Sequence, residues 1–370
     1  MRIAVEARYL LTKDKTGVEN YTYFLLAAMA QVLGQDELLL YLQRRPRRDE
    51  VEMLRPFLAS SRCRFRVVPP LRLWLKLWMP LAARLAGAEV ALFPGGILPL
   101  YTPFPCVTIV HDLAWAINPE CYSRRDLHIF KEIYPRTLAA ARLIFAVSEF
   151  TALDITRVYG TSPAKIRVIP HGRDPEFTPM KNAPEVVRAH WGLEPGYILA
   201  VGISHPRKNT SALLRAYAIS RPERPLVLAG APGEMQSPLL NLAEELGISD
   251  RIRWLGYTPH DKLPALYSAA GLFIMPSLFE GFGMPVLEAM GCGTPVICSN
   301  VSSLPEAAGE AALLVDPTRP EAIAQALQRV LSDKEVAAEL RQKGLARVQA
   351  FDWNRSAALA LKYLREIAPR

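Results

Sequence analysis

A chain of 370 residues with 50% hydrophobic, 22% charged and 9% aromatic side chains has the make-up of a globular protein, which excludes a disordered or fibrous one. Its length favours two domains over one. The net charge of +8 is uneven: across residues 44–84 ten Arg and one Lys stand against Asp49, Glu50 and Glu52, an excess equal to that of the whole chain, so this segment is expected to face something anionic such as phospholipid, nucleic acid or a phosphorylated substrate.

The chain opens Met1-Arg2-Ile3-Ala4-Val5-Glu6-Ala7-Arg8, with charges where a signal peptide needs its apolar core, and reads as a first buried strand over 2–6. Further runs of strand length follow at 37–42, 64–68, 89–93, 107–110, 142–147 and 166–169. Helical spacing of apolar residues lies between them over 19–33, 125–141 and 149–159. The uncharged stretch 90–110 is long enough for a membrane span, but Pro94, Gly95, Gly96, Pro99, Pro103 and Pro105 forbid a continuous helix. After a turn-rich stretch with Pro170, Pro175 and Pro179 the alternation restarts, with strands at 197–201, 225–229, 252–255, 272–275, 295–298 and 311–315. Alternating strands and helices predict parallel sheets covered on both faces, and two series predict two such domains. Residues 1–176 form the first, 177–352 the second, and 353–370 a final helix that returns to the first domain. Five scattered cysteines (Cys63, Cys106, Cys121, Cys292, Cys298) without a CxxC pair suggest neither a disulfide framework nor a zinc site, and a reducing, cytoplasmic setting is expected.

In open parallel sheets ligands bind beyond the carboxyl ends of the strands, so the loops after strands carry the chemistry. After strand 272–275 comes Phe279-Glu280-Gly281-Phe282-Gly283-Met284-Pro285-Val286-Leu287-Glu288. Pro285 suits the first position of a helix, and the glycines before it leave backbone N–H groups at that helix's amino end, where phosphate binds. Glu280 falls in the loop and Glu288 one turn inside the helix, one carboxylate suited to sugar hydroxyls and the other to a ribose. After strand 197–201 comes Gly202-Ile203-Ser204-His205-Pro206-Arg207-Lys208-Asn209. Gly202 permits close backbone approach, and Arg207 with Lys208 can neutralise a diphosphate as its bond to a sugar breaks.

The 279–288 pattern resembles the E-x7-E region of the retaining glycosyltransferases of family 4 (glycosyl transferases group 1), and the resemblance extends over residues 1–360. It implies the GT-B fold: α/β, with two Rossmann-like doubly wound parallel-sheet domains facing a cleft, residues 1–176 on the acceptor side and 177–352 binding the nucleotide sugar. By the same resemblance Arg207 and Lys208 clamp the diphosphate, with His205 standing where many relatives carry an acidic residue. His111, after strand 107–110, approaches the donor sugar, and Asp112 is structural. Gly17, at the start of a helix after Thr16, lies under the donor's phosphates. Gly230, Gly256 and Tyr257 hold the base. Ser148 caps a helix, and Pro170-His171-Gly172 is the domain junction. The expected catalytic residues are therefore Arg207, Lys208, Glu280 and His111. The expected donor-binding residues are Gly17, Gly202, Gly230, Gly256, Tyr257, Gly281, Phe282, Gly283, Met284 and Glu288.

The activity this implies is transfer of a hexose, with mannose from GDP-mannose the first choice, from a nucleoside diphosphate sugar to a hydroxyl of a glycan or lipid-linked acceptor, with retention of configuration. The chain contains no D-x-D and no G-x-x-x-x-G-K-[ST], and Gly281-Phe282-Gly283 lacks the third glycine of G-x-G-x-x-G. No metal and no cofactor besides the donor is expected. A nucleotide-sugar epimerase of the same fold, which needs no acceptor, and a non-catalytic sugar-nucleotide binding protein are the alternatives. Within residues 71–85, Arg72, Lys76 and Arg84 fall on a four-residue spacing and Trp74 and Trp78 are four apart. Two readings stand: the tryptophan face packs on the first domain's sheet, or residues 44–84 make peripheral contact with an anionic membrane at its inner face. Nucleic acid is not expected as a partner, for lack of a stacking platform or recognition helix.

Overall fold

The structure, a computed structural model, describes residues 1–12, 17–69, 72–117, 119–203, 205–230 and 236–369. Thr16, Leu71 and Ser204, which belong to the sequence motifs above, lie outside the described residues. The chain divides into two units, Met1–Gly172 with Asp352–Arg370, and Arg173–Phe351.

In the first unit β1 (Arg2–Glu6), β2 (Glu37–Leu42), β3 (Cys63–Val67), β4 (Val90–Phe93), β5 (Cys106–Val110), β6 (Leu143–Ala146) and β7 (Ile166–Val168) form a parallel sheet in the order β3-β2-β1-β4-β5-β6-β7. Every residue of β4, β5 and β6 is buried, which is why these strands read as unbroken apolar runs: helices cover both faces of the sheet. β3, at the edge, exposes Arg64 and Arg66, charges that discourage pairing with another chain's strand. Part of the basic segment thus has a local task. Arg44 also pairs with Glu50, Arg55 with Glu52, and Arg64 with Glu37. The terminal helix Trp353–Ile367 packs against Gly17–Val32 within this unit, where Trp353 stacks on Phe24 at 5.8 Å between ring centroids.

In the second unit β8 (Ile198–Val201), β9 (Leu226–Ala229), β10 (Ile252–Gly256), β11 (Leu272–Met275), β12 (Val296–Ser299) and β13 (Leu313–Val315) form another parallel sheet in the order β10-β9-β8-β11-β12-β13. Both sheets grow outward in two directions from their first strand. The order therefore reverses between β1 and β4 in one and between β8 and β11 in the other, and ligands bind in the crevice that such a reversal opens beyond the strand ends.

The helix expected over 125–141 changes pitch on the way: Arg124–His128 and Tyr134–Ala140 are α-helical, and Ile129–Ile133 between them is a π turn. A second π turn, Trp74–Trp78, leads into the helix Met79–Leu85. Each is followed by one residue and then a proline, Pro135 or Pro80. Proline lacks an N–H and crowds the carbonyl four residues back, and the wider turn lets that carbonyl skip to the next donor. The two tryptophan rings here do not share a face. Trp74 is buried with Met79 and Ala83 under the sheet, its Nε1–H donating to the Val68 carbonyl at 2.7 Å, whereas Trp78 stays 40% exposed, and Leu73, Leu77 and Leu85 are exposed as well. The core takes one ring and leaves the other at the surface. Among the described residues no helix is long and apolar enough to cross a membrane, and residues 90–110 hold β4 and β5.

Candidate functional site

The loops after β8 and β11 meet at the reversal point of the second sheet. Pro206–Lys208 is a short 3-10 turn whose start is capped by His205, its Nδ1 accepting from the Arg207 N–H at 3.3 Å, a task that an acidic side chain also fulfils. Asn209 follows in the left-handed region at φ +57°, and its amide donates to the carbonyls of Pro276 at 3.1 Å and Pro317 at 2.7 Å. The Leu278 N–H donates to the Arg207 carbonyl at 2.7 Å. Three loops, after β8, β11 and β13, are thereby tied into one body.

On this body Arg207 and Lys208 converge on Glu280. Arg207 Nη1 donates to Oε2 at 2.7 Å and to the Phe279 carbonyl at 3.0 Å, and Lys208 Nζ donates to Oε1 at 2.8 Å. Glu280 is held in turn by Ser302, whose Oγ accepts from its N–H at 3.1 Å, and by Ser303, whose hydroxyl donates to its carbonyl at 2.8 Å. Burial opposes ionisation of Glu280, yet the charges of Lys208 and Arg207 hold its carboxyl down at about 2. Two cations share one carboxylate, which leaves the trio with a net positive charge and fixed donor directions.

Gly202, Gly230 and Gly256 close β8, β9 and β10 with φ of +77°, +155° and +67°, and the Gly202 and Gly230 N–H groups each donate at 2.8 Å to the neighbouring strand's end, the carbonyls of Ala229 and Gly256. The result is a row of strand ends without side chains. Gly202 lies beside Lys208, where an added Cβ would meet Cε at 3.6 Å. Gly283 takes φ +107° as the residue before the helix Met284–Gly291, and a Cβ there would stand 2.7 Å from Leu304. The Phe282 ring is buried against Phe351. Tyr257 is 59% exposed at the rim.

Glu288 sits in the second turn of Met284–Gly291, and its Oε2 accepts from the Tyr267 hydroxyl at 2.9 Å. Burial pushes its carboxyl up to about 7, against the Tyr267 hydrogen bond and the charges of His260 and Lys208. Burial and the adjacent Glu288 raise the Tyr267 phenol well above its usual range, so it remains a donor. His260 Nε2 lies 2.8 Å from Asp174 Oδ2, a hydrogen bond that raises the imidazole's pKa. With Glu176 these two bring ligand atoms within 4.8 Å of one another, close enough to hold a cation. Tyr267, His260 and Asp174 were not singled out by sequence reasoning. Each lies outside the motifs, and only the fold brings them to Glu288.

In the first unit His111 follows β5. Its Nε2 lies 3.0 Å from the Pro94 carbonyl, so Nε2 carries the proton and Nδ1 is the acceptor. Burial lowers its pKa, which keeps the ring neutral, and Tyr21 meets it edge-on at 5.2 Å. Asp112 Oδ1 accepts from the Ala114 N–H at 3.1 Å and caps the helix Ala114–Ile117. Ser148 caps Glu149–Tyr159 through the Thr151 N–H at 3.0 Å. Gly17 opens the helix Gly17–Val32, and among the described residues nothing lies within 4 Å of an added Cβ. His171 is buried against Tyr21 and Trp353.

A family model described as Glycosyl transferases group 1 matches residues 187–347, and one described as Glycosyltransferase Family 4 matches residues 15–177. The chain is 36% identical over 253 residues to the O-antigen chain mannosyltransferase B of Escherichia coli, a match over 67% of this chain and 66% of that protein. It is 32% identical over 272 residues to the serotype-specific mannosyltransferase WbdA of Escherichia coli, over 70% of this chain and 33% of WbdA. The match thus spans less than the whole of either relative. Among solved structures, sucrose-phosphate synthase from Thermosynechococcus elongatus shares the fold with a TM-score of 0.75 and 24% identity, over 99% of this chain and 98% of that one.

Proposed function

The chain belongs to family 4 of the glycosyltransferases, within glycosyl transferases group 1, and has their GT-B fold, and from that membership we propose that it is a retaining, metal-independent hexosyltransferase of polysaccharide biosynthesis. The sugar is mannose, carried by a nucleoside diphosphate, and the acceptor is a hydroxyl of a glycan or lipid-linked glycan. One observation carries the reading: Arg207 and Lys208, fixed on Glu280 at 2.7 and 2.8 Å where the order of the second sheet reverses.

As the bond between the anomeric carbon and the phosphate oxygen breaks, negative charge grows on the departing diphosphate. Cations already fixed in direction stabilise that charge without reorganising, and a partly buried site strengthens the effect. The bond from the acceptor oxygen to the anomeric carbon forms on the face the diphosphate leaves, and the acceptor's proton passes to a phosphate oxygen. The leaving group is thus the base, and positioning plus charge stabilisation suffices. Gly202, Gly230 and Gly256 let the nucleotide approach the strand ends, with Tyr257 at the base. The amino end of Met284–Gly291, with the backbone of Gly281, Phe282, Gly283 and Met284, faces phosphate, and Gly17 of the first unit is assigned to the donor as well. Glu288 binds the ribose, and neutral His111 accepts from the transferred sugar through Nδ1. At the surface of the first unit, exposed Leu73, Leu77, Trp78 and Leu85 stand among Arg72, Lys76 and Arg84, which supports peripheral attachment to an anionic membrane.

The test is transfer from GDP-mannose to an octyl mannobioside in excess EDTA, with the product's anomeric configuration read by NMR, alongside a thermal-shift screen of GDP-, UDP-, ADP- and dTDP-sugars. Retained configuration and full activity in EDTA are expected. An inverted product, metal-reversible loss of activity, sugar conversion without acceptor, or no nucleotide sugar that raises the melting temperature overturns the reading.

A further inference from the structure

The first sheet has its own order reversal, between β1 and β4, and the crevice rule applies to it as it does to the second sheet. A second set of charged and aromatic groups is built there. Glu6, the last residue of β1, is almost wholly buried, and its Oε1 lies 2.6 Å from Arg8 Nε. Arg8 Nη2 donates to the Tyr9 hydroxyl at 3.0 Å, and the guanidinium lies 5.0 Å from the centre of the Tyr9 ring. Gly95, in the loop after β4, passes so close beneath Tyr9 that an added Cβ would stand 2.1 Å from the phenolic oxygen. The ion pair with Glu6 and the hydrogen bond to Tyr9 therefore hold the guanidinium from two sides. Nη1 has no partner among the described residues, and a third of the Arg8 side chain remains open to solvent.

We propose that Arg8, fixed by Glu6 and Tyr9 in the crevice between β1 and β4, is an acceptor-binding residue that recognises the hydroxyls of an uncharged glycan. The inference rests on the glycosyltransferase reading and adds the acceptor's chemistry and the residue that reads it. Charge decides against a diphosphate here. In the second unit two cations share one carboxylate and an anion is welcome, whereas Arg8 faces one buried carboxylate that offsets it. What Arg8 presents is a rigid pair of N–H donors beside an aromatic ring, an arrangement that suits hydroxyl lone pairs and a sugar's C–H face. Lysine has no such planar fork.

Binding of an octyl mannobioside to the whole protein, saturated with GDP, is measured by calorimetry for wild type, Arg8→Ala, Arg8→Lys and Glu6→Gln. Because burial pushes the Glu6 carboxyl up to about 7, the measurement is made at about pH 8, where it is ionised. Arg8→Ala should weaken glycoside binding at least tenfold, Arg8→Lys should restore little of it, and added methylguanidinium should rescue the alanine variant. Glu6→Gln, which removes the charge paired with Arg8, should also weaken glycoside binding. GDP affinity should be unchanged throughout, which shows that the variants fold and separates this inference from the donor site. Arg8→Ala binding the glycoside as wild type does, or Arg8-dependent binding of inorganic pyrophosphate without binding of the glycoside, overturns the proposal. Failure of wild type to bind GDP would instead fall on the glycosyltransferase reading itself.

Discussion

Replacing Glu280 by glutamine tests the cation pair more sharply than removing either cation. The carboxyl is held at about 2 against its ordinary value of 4.5, and at about 1.4 kcal/mol per unit this gap is worth roughly 3 kcal/mol. The sign follows from the depression: the stability is present above pH 4.5 and is lost as pH falls toward about 2. In Glu280→Gln one oxygen still accepts, but the amide NH2 must face Arg207 or Lys208. Removing one partner of a buried ion pair costs about 3–5 kcal/mol. For a unit of this size, roughly 6–20 °C of melting temperature should be lost. The two cations then lose the Glu280 charge, so inorganic pyrophosphate, which has to compete with the carboxylate in wild type, should raise the variant's melting temperature by more than it raises wild type's. Differential scanning fluorimetry with and without pyrophosphate reads both effects. An unchanged melting temperature, or a smaller pyrophosphate response in the variant, refutes the picture of a carboxylate that stores both cations for the diphosphate.

Lys208→Ala leaves Arg207 on Glu280, so the fold should survive, and turnover should fall by about 10²–10³; wild-type turnover would remove Lys208 from the clamp. Glu288, raised to about 7, keeps its proton in the folded state between pH 4.5 and about 7 while the unfolded chain has lost it, so its contribution to stability falls as pH rises through that window. Urea midpoints should accordingly show Glu288→Gln gaining about 3 kcal/mol on wild type between about pH 5 and about pH 8, and a difference independent of pH would contradict the buried carboxyl. Sedimentation with vesicles containing anionic lipid should recover the protein at low salt and release it at high salt, and the double substitution Leu77→Ser, Trp78→Ser should weaken that recovery; equal recovery with neutral vesicles would remove the membrane contact.

Much of the architecture was legible because burial on both faces of a parallel sheet leaves apolar runs such as Val90-Ala91-Leu92-Phe93 that no amphipathic helix would show. The site loops were legible for a related reason: Gly202, Arg207, Lys208 and Glu280 lie just past strand ends, where the chain must turn and where a glycine or a charge has no packing purpose of its own. The grip of Glu280 on both cations was not legible, since residues 207 and 280 are brought together only by the adjacency of β8 and β11. Nor was the division of Trp74 from Trp78. A four-residue spacing puts two rings near one another on an isolated helix, but the choice between core and solvent was made by Met79 and Ala83, which turn toward the sheet with Trp74. The charges of Glu6 and Arg8 were visible as a bar to a signal peptide, while their pairing depended on where the loop after β4 runs. The pitch changes before Pro80 and Pro135 were marked by the prolines alone, and these also fit a helix start.

The row of Gly202, Gly230 and Gly256 has a consequence for how such an enzyme diversifies. On the proposed reading, three neighbouring strands end in residues that offer a nucleotide only peptide groups, and peptide groups are the same whatever base or sugar rests on them. Discrimination between donors must therefore come from side chains around that floor, Tyr257 among them. Tyr257 is largely exposed, so its replacement disturbs no core. A lineage can then exchange one nucleotide sugar for another by editing the perimeter while the strand ends and the Glu280 grip stay as they are.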